Sequence, residues 1–575
     1  MLKHSENKLN SSPPSPSLTA VEPSHPTPED KPAKLGVQPI SLATGGVPRT
    51  TSPINPASIA YPSSNTKPPE QAEKYEHEQL EKSNPGLFQA LEEAGVYFAY
   101  RDAEGSDIIR STKEDKRNPR NYPKWKRYLI VGLASWLNNL VCLCVSGYST
   151  GAGQIAEEFN VSAEVVTVGL SLYVLGFAIG PLFTAPLSEF FGRRPVYLVS
   201  WFIFTCFQIP LALAPNIGTV LVCRFIQGFS GSTPLANTGG VVHDLFGIRE
   251  CGLAVAIYAL SSVDGPPLGN VVSAFIPPAK GWRWNFWVYL IIFGAHWFII
   301  FFFLPETRDT IIMSRKSQAL RAQGFTNVYA DHEKDKRKPG YIYKTSLYRP
   351  WLFLVKERIV TLSALINGYV YGMIFLSNEA FPLIFGPGNN GHDWDNTGLV
   401  NLTFGAYVVG AVIAFAFHPM QERFYQKRST ETGTPNPEAR WWISLYGIWL
   451  MPLGLMISAW TSYAYLPWIA PLIGFACVGF GFFCIINAIL TYVVDGYGHY
   501  ASSALAGVVF VRNIVGAIFP LFGRQMFERL GNQWALFLLS MLSFLLVSIP
   551  FFLYRRGAKV RAKSPYCAEN FGKSD

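Results

Sequence analysis

A dozen apolar stretches of membrane length constrain this chain more than anything else in it. They fall at 127–147, 166–187, 196–215, 218–240, 252–276 and 284–304, then at 359–384, 398–418, 441–461, 466–494, 501–523 and 533–554. Each can supply the ~20 apolar residues that a helix needs to cross a bilayer. Backbone groups in lipid find no water, so each stretch must satisfy its own N–H and C=O groups as a helix. The expectation is an all-α membrane protein of twelve transmembrane helices, in two six-helix halves around a polar middle segment. Only 15% of residues are charged, against about 25% in soluble domains.

The charges are also sorted. One set of loops holds Arg193, Arg194, Arg249, Lys334, Lys336, Arg337, Lys338, Arg423, Lys427, Arg428, Arg555, Arg556 and Lys559. The other set holds only Lys280, Arg283, Arg524 and Arg529. By the positive-inside rule both termini face the cytoplasm, as an even number of spans requires. The formal net charge of +9 is then a property of loops. With no folded basic face interleaved with aromatics, nucleic acid is not an expected partner. The eight cysteines lie mostly inside apolar runs without zinc-type spacing, so Cys142 and Cys144 read as packing, not as a redox pair. A Gly-rich phosphate loop, a metal-spaced His set and a nucleophile elbow are all missing from the sequence. An enzyme, an ATP-driven pump and a bound cofactor or metal are therefore not expected.

Six segments follow from this layout. Residues 1–85 are dense in Pro, Ser, Thr and Lys, too poor in apolar surface to offset ordering entropy, and read as a disordered cytoplasmic tail. No signal peptide opens the chain. Residues 86–126 form a juxtamembrane segment, with LFQALEEAG as a short amphipathic helix and the basic, aromatic NPRNYPKWKRY suited to a membrane interface. The N-terminal half is 127–304, the central cytoplasmic loop 305–358, the C-terminal half 359–554 and the C-terminal tail 555–575.

The second and third spans are joined by GFAIGPLFTAPLSEFFGRRPV, beginning at Gly176. Glu189, Gly192, Arg193 and Arg194 share a very short turn there. Gly192 permits a tight backbone and Glu189 can pair with a guanidinium. This order of small residues, prolines, acid, Gly and two Args resembles the loop between helices 2 and 3 of the major facilitator superfamily. The two-by-six layout is that family's parallel-repeat plan. His418–Arg428, HPMQERFYQKR, falls where a second copy of the motif would fall; it keeps acid and bases but lacks the Gly. NPRN before the first span and LPET at the close of the sixth resemble the fungal twelve-helix drug:proton antiporter branch, as boundary features. The resemblance covers roughly residues 118–555. It implies a secondary active transporter, proton-coupled and exporting a small organic metabolite or xenobiotic by alternating access. Its partners are then the substrate, protons and the lipid bilayer, with the chain acting as a monomer in the plasma membrane or an internal one.

Intramembrane polar residues supply the candidate sites. Arg224 and Gly228 match the family's Arg-x-x-x-Gly in the fourth helix, and the resemblance gives Arg224 a role in proton or substrate coupling; the alternative is an Arg snorkelling to the surface. Gly265, Pro266, Pro267 and Gly269 resemble the Gly-Pro-x-x-Gly signature of antiporters. Prolines remove helix donors and glycines let a neighbouring helix approach. Asn270 departs from that signature, and so does Asp264, which is a proton carrier or a structural partner of an Arg. Glu379, in Asn378-Glu-Ala-Phe-Pro, binds a proton or a cationic substrate, or sits at a solvated mouth. Arg512 is too central to snorkel and calls for a partner or a hydrated cavity. Asn138, Asn139, Asn487 and Asn513 add neutral hydrogen-bonding groups. Asn160 heads a glycosylation sequon in an outside loop, whereas the sequon at Asn401 lies inside a span. Substrate class stays open between a cation, an organic anion and a neutral glycolipid or secondary metabolite. A non-transporting sensor on the same fold is the rival from another class.

Overall fold

The computed structural model describes residues 85–101, 106–112, 115–247, 250–333, 339–387, 392–433 and 435–567. The tail at 1–84, Arg249 and the Lys334, Lys336, Arg337, Lys338 cluster lie outside the described residues.

Among the described residues, ten helical segments are long and apolar enough to cross a membrane. The first six spans are Lys124–Gly147, Ala163–Phe191, Arg193–Cys206 continued by Gln208–Ala212, Ile217–Leu245, Gly252–Ser273 and Trp282–Phe303. The remaining six are Arg358–Phe385, the broken run Thr397–Thr432, Pro437–Thr461, Ile469–Tyr497, Ala501–Leu530 and Asn532–Arg561. The fourth and fifth spans have membrane length but fall outside the ten, because they are too polar. Their buried residues include Arg224, Gln227, Asn237, Asp264 and Asn270. A helix can carry such residues across a membrane only where it faces protein. The sixth span is the opposite case: only 22% of its apolar window is buried, and Phe298, Phe302 and Phe303 stand exposed for lipid.

Close helix pairs repeat with an offset of six. In the first half, Gly265 and Gly269 of the fifth span leave room for Cys142 and the Leu143 carbonyl of the first, and Gly176 and Gly228 bring the second and fourth together. In the second half, Gly372 lies under Phe519 to join the seventh and eleventh spans, and Gly410 and Gly479 join the eighth and tenth. Small residues let backbones approach where no hydrophobic force drives association. The same pairs in each half are the structural form of the parallel repeat.

The bundle is all helix, but the segments outside it are not. Helix α1 (Pro85–Ala94) leads into β1 (Val96–Arg101), which pairs antiparallel with β2 (Asp107–Ser111). Strand β2 pairs in parallel with β3 (Val328–Ala330) from the central loop. Helix α2 (Asp309–Ala322) packs Met313 and Leu320 against Leu87, Leu91, Phe98 and Ile109. The juxtamembrane segment and the central loop, separate in the sequence reading, thus form one small module with its own core. Its buried ion pair joins Lys316 to Asp115, and Arg321 pairs with Glu333 at 3.1 Å.

Candidate functional site

The turn at Gly192 is held from a distance. Gly192 has φ +97°, a value that side chains with a Cβ rarely adopt, and a Cβ there would meet the Glu306 carboxylate. That carboxylate caps the third span, accepting hydrogen bonds from Arg193 N at 2.8 Å and Arg194 N at 3.2 Å. It also accepts from the backbone of Thr307 and Arg308. An anion at a helix N-terminus bonds free N–H groups and meets the positive end of the dipole. The Arg193 side chain pairs with Asp244 at 3.2 Å and donates to Ser188 and Asn237. Arg194 donates to the Phe301 carbonyl. Glu189 is an electrostatic neighbour of Arg193, but the ion pair belongs to Asp244, at the end of the fourth span.

The second half builds the same device from residues outside 418–428 as well as inside. Arg440, entering the ninth span, bonds Asp495 at 2.8 Å and Glu422 at 2.9 Å, over the Tyr425 ring. Asp495 closes the tenth span as Asp244 closes the fourth. The base that answers Asp495 is Arg440, outside the degenerate copy at 418–428. This cluster also touches the first half, since a Cβ on Gly252, opening the fifth span, would meet Glu422 and Arg440.

A polar layer crosses the middle of the bundle. Asn138 of the first span donates to Ser261 and Ser262, and Asn139 to the Ser261 carbonyl. Tyr371 donates to the Ser262 carbonyl at 3.0 Å, crossing from the second half. The Arg512 guanidinium lies 3.9 Å from the Tyr371 ring centroid. Asn513 donates to the Phe177 carbonyl, again between halves. Asp264 is 5% exposed, its Oδ1 unbonded. It forms no ion pair with an Arg among the described residues. Gln227 and Asn367 are buried with both amide atoms unbonded. Asn487 stands apart, its amide 3.5 Å from His418.

Arg224 does not snorkel. Both terminal nitrogens donate to the Cys144 and Val145 carbonyls at the end of the first span. The rings of Tyr148 and Tyr173 cover its two faces. At the end of the bundle opposite Arg193, Glu379 accepts from Thr167 at 2.9 Å, and Asn378 links Asn270 and Ser146. Each of these bonds joins the two halves. Pro266 and Pro267 are buried within the fifth span between the two glycines that face the first. Asn160 is exposed with left-handed backbone, and Asn401 is buried, bonded to the Thr397 carbonyl.

Sequence reading missed two connected sets, Asp244 and Glu306 around Arg193 and Asp495 around Arg440. A signal existed for two of these residues. Asp244 and Asp495 each lie in the last turn of a long membrane-length helix, where the dipole disfavours a carboxylate and a cation must answer it.

Two helical halves that meet around a buried polar layer, closed by side chains at both ends, define a secondary transporter of the membrane. The chain belongs to the Major Facilitator Superfamily, whose family model matches residues 134–520. It is 35% identical to the "Efflux pump FUBT" of Fusarium oxysporum, over 80% of this chain and 78% of that protein. It is likewise 35% identical to the "Ascochitine biosynthesis cluster MFS transporter" of Didymella fabae, over 79% of this chain and 88% of that one. In fold it is similar to the xylose transporter XylE from E. coli, with a TM-score of 0.51 over 75% of this chain and 98% of that one at 14% identity.

Proposed function

We propose that this chain exports a small organic metabolite or xenobiotic in exchange for protons, with the Arg193 end of the bundle in the cytoplasm. The observation that carries the reading is the closure of one polar layer at both ends by contacts between the halves, hydrogen bonds at one end and close packing at the other. Thr167–Glu379 and Asn270–Asn378 close one end, and Gly252 against Glu422 and Arg440 closes the other. Rocking the halves breaks one set of contacts and keeps the other, which is alternating access around a midplane site. The direction of transport rests on the likeness to efflux pumps and on the Gly-Pro-Pro-Leu-Gly segment at Gly265.

Asp264 is the proposed proton carrier of the layer. It lies two residues from Ser262, whose carbonyl accepts a bond from the second half, and no cation pairs with it among the described residues. Glu379 is proposed as the second protonatable group, one whose release would open the outer contact to Thr167. A proton entering down 100 mV supplies ~2.3 kcal/mol and each pH unit ~1.4 kcal/mol. The basic residues of the Arg193 end support a cytoplasmic assignment of that end through the positive-inside rule, and a plasma-membrane, monomeric transporter is the form proposed.

The test compares metabolites inside and outside a host strain lacking this chain with its parent. A compound lost from the medium and retained in the cells supports export. Reduced uptake of a medium component overturns the direction. No change in any compound, with no gradient-driven flux in vesicles, favours the sensor.

A further inference from the structure

Four arginines are buried among the described residues: Arg193, Arg224, Arg440 and Arg512. Three are answered. Arg193 has Asp244, Arg440 has Asp495 and Glu422, and Arg224 has two carbonyls. Arg512 is fully buried, and its Nε, Nη1 and Nη2 all lack a hydrogen-bond partner. Its surroundings are neutral: the Tyr371 face, with Cys142 and Tyr258 as further electrostatic neighbours.

Such a group cannot shed its charge, because guanidinium stays protonated in proteins. It cannot reach water along the helix either. Arg512 lies about 17 Å from the start of Ala501–Leu530 at 1.5 Å per residue. The Tyr371 ring lies over the guanidinium while the N–H groups point outward in the guanidinium's own plane, and the tyrosine is itself fixed by its bond to the Ser262 carbonyl. A planar fork of donors in a layer shared by both halves matches an oxyanion held by parallel bonds, and a carboxylate, with a single charge to desolvate, suits these neutral surroundings better than a phosphate.

We propose that Arg512 is the receptor for an anionic group of the transported solute, so that the substrates are organic acids carried as carboxylates. This rests on the export reading above and names its substrate class. A cation would meet an uncompensated positive charge at the centre of the path. A neutral solute would leave the fork unpaired.

The test is a binding titration at pH 7.5 on the purified full chain in nanodiscs, read by tryptophan fluorescence. The probes are benzoate and octanoate, each against its neutral amide, benzamide or octanamide. The acids are expected to bind at least tenfold more tightly than the amides. Arg512→Gln should erase that ratio, and Arg512→Lys, which keeps charge without the fork, should fall between. Equal affinity of acid and amide in the native chain overturns the proposal, as does a ratio preserved in Arg512→Gln or no binding by either acid. The native comparison stands even if a variant fails to fold. Flux in vesicles separates the two readings: acids that bind without gradient-driven movement leave the anion site standing and overturn export, while amides moving as fast as acids overturn the anion site alone.

Discussion

Glu306 holds the backbone N–H of Arg193 at 2.8 Å across 113 residues of sequence. The carboxylate that ends the sixth span is thereby the cap of the third. The same turn depends on Gly192, whose missing Cβ leaves space for that carboxylate. Glu306→Ala would leave buried N–H groups unbonded, at about 1–3 kcal/mol for each one that water does not reach. Gly192→Ala adds strain at positive φ of a similar order. Both variants are expected to lower the thermal midpoint of the purified protein, and the double variant to fall by less than the sum. An additive double variant would show that the two residues act separately.

Arg440 gives the second half its own version. Removing one partner of a buried pair costs about 3–5 kcal/mol, because a charge is left behind. Asp495→Asn is therefore expected to cut the yield of folded protein severely, as monitored by size-exclusion of a fluorescent fusion. Arg428→Ala, which breaks a pair with both side chains about half exposed, should stay within about 0.5 kcal/mol of the native chain. Equal losses would mean that burial does not set the cost here.

These pairs also mark how far the sequence could be read. The spans were legible because lipid permits little except a continuous apolar helix, and the ends agree with 127–147, 218–240 or 501–523 to within several residues. Arg512, Asp264 and Asn138 were legible because a polar residue at membrane depth is conspicuous. Their partners were not. Asp244, Glu306 and Arg440 sit at span ends, where charge is ordinary, and only the fold decides that they meet. The module was hidden for another reason. Its β2–β3 pairing joins residues 107–109 to 328–330, and no local pattern reports a strand three residues long whose partner lies beyond six membrane spans.

That module should hold across the physiological range and fail in acid. Burial alone would raise the Glu333 carboxyl. The Arg321 guanidinium, the Ala330 N–H and the Ser317 and Ser314 hydroxyls outweigh it and bring the group down to about 2. Asp115 is lowered in the same way, burial being outweighed by Lys316, Arg117 N and Ser111. A carboxylate lowered by folding contributes stability above its unfolded pKa, about 4, and that stability is lost as pH falls through the folded value. Hydrogen exchange of β1–β3 in the full chain, corrected for intrinsic rate, is expected to be flat from pH 7 to about 5 and to rise toward pH 2. Lys316→Met should move the rise to higher pH. Removal of residues 1–84 should leave both this protection and vesicle flux unchanged.

The proton-carrier role proposed for Asp264 predicts that coupling and translocation can be separated there. Asn has nearly the same size but takes up no proton, so Asp264→Asn should load, rock and release substrate while losing its link to the gradient. With the membrane potential clamped at zero, one pH unit supplies about 1.4 kcal/mol, a limiting accumulation of about tenfold for one proton per substrate whatever the substrate's charge. In vesicles the variant is expected to bring that ratio to about one, while exchange of labelled for unlabelled substrate without a gradient stays within a few-fold of native. Glu379→Gln, at the outer contact with Thr167, should instead slow exchange itself, since a neutral amide keeps the hydrogen bond that a deprotonated acid exposed to solvent would give up. Gradient-driven accumulation unchanged in Asp264→Asn would remove that residue from the mechanism. Loss of exchange together with accumulation would make it a structural member of the layer.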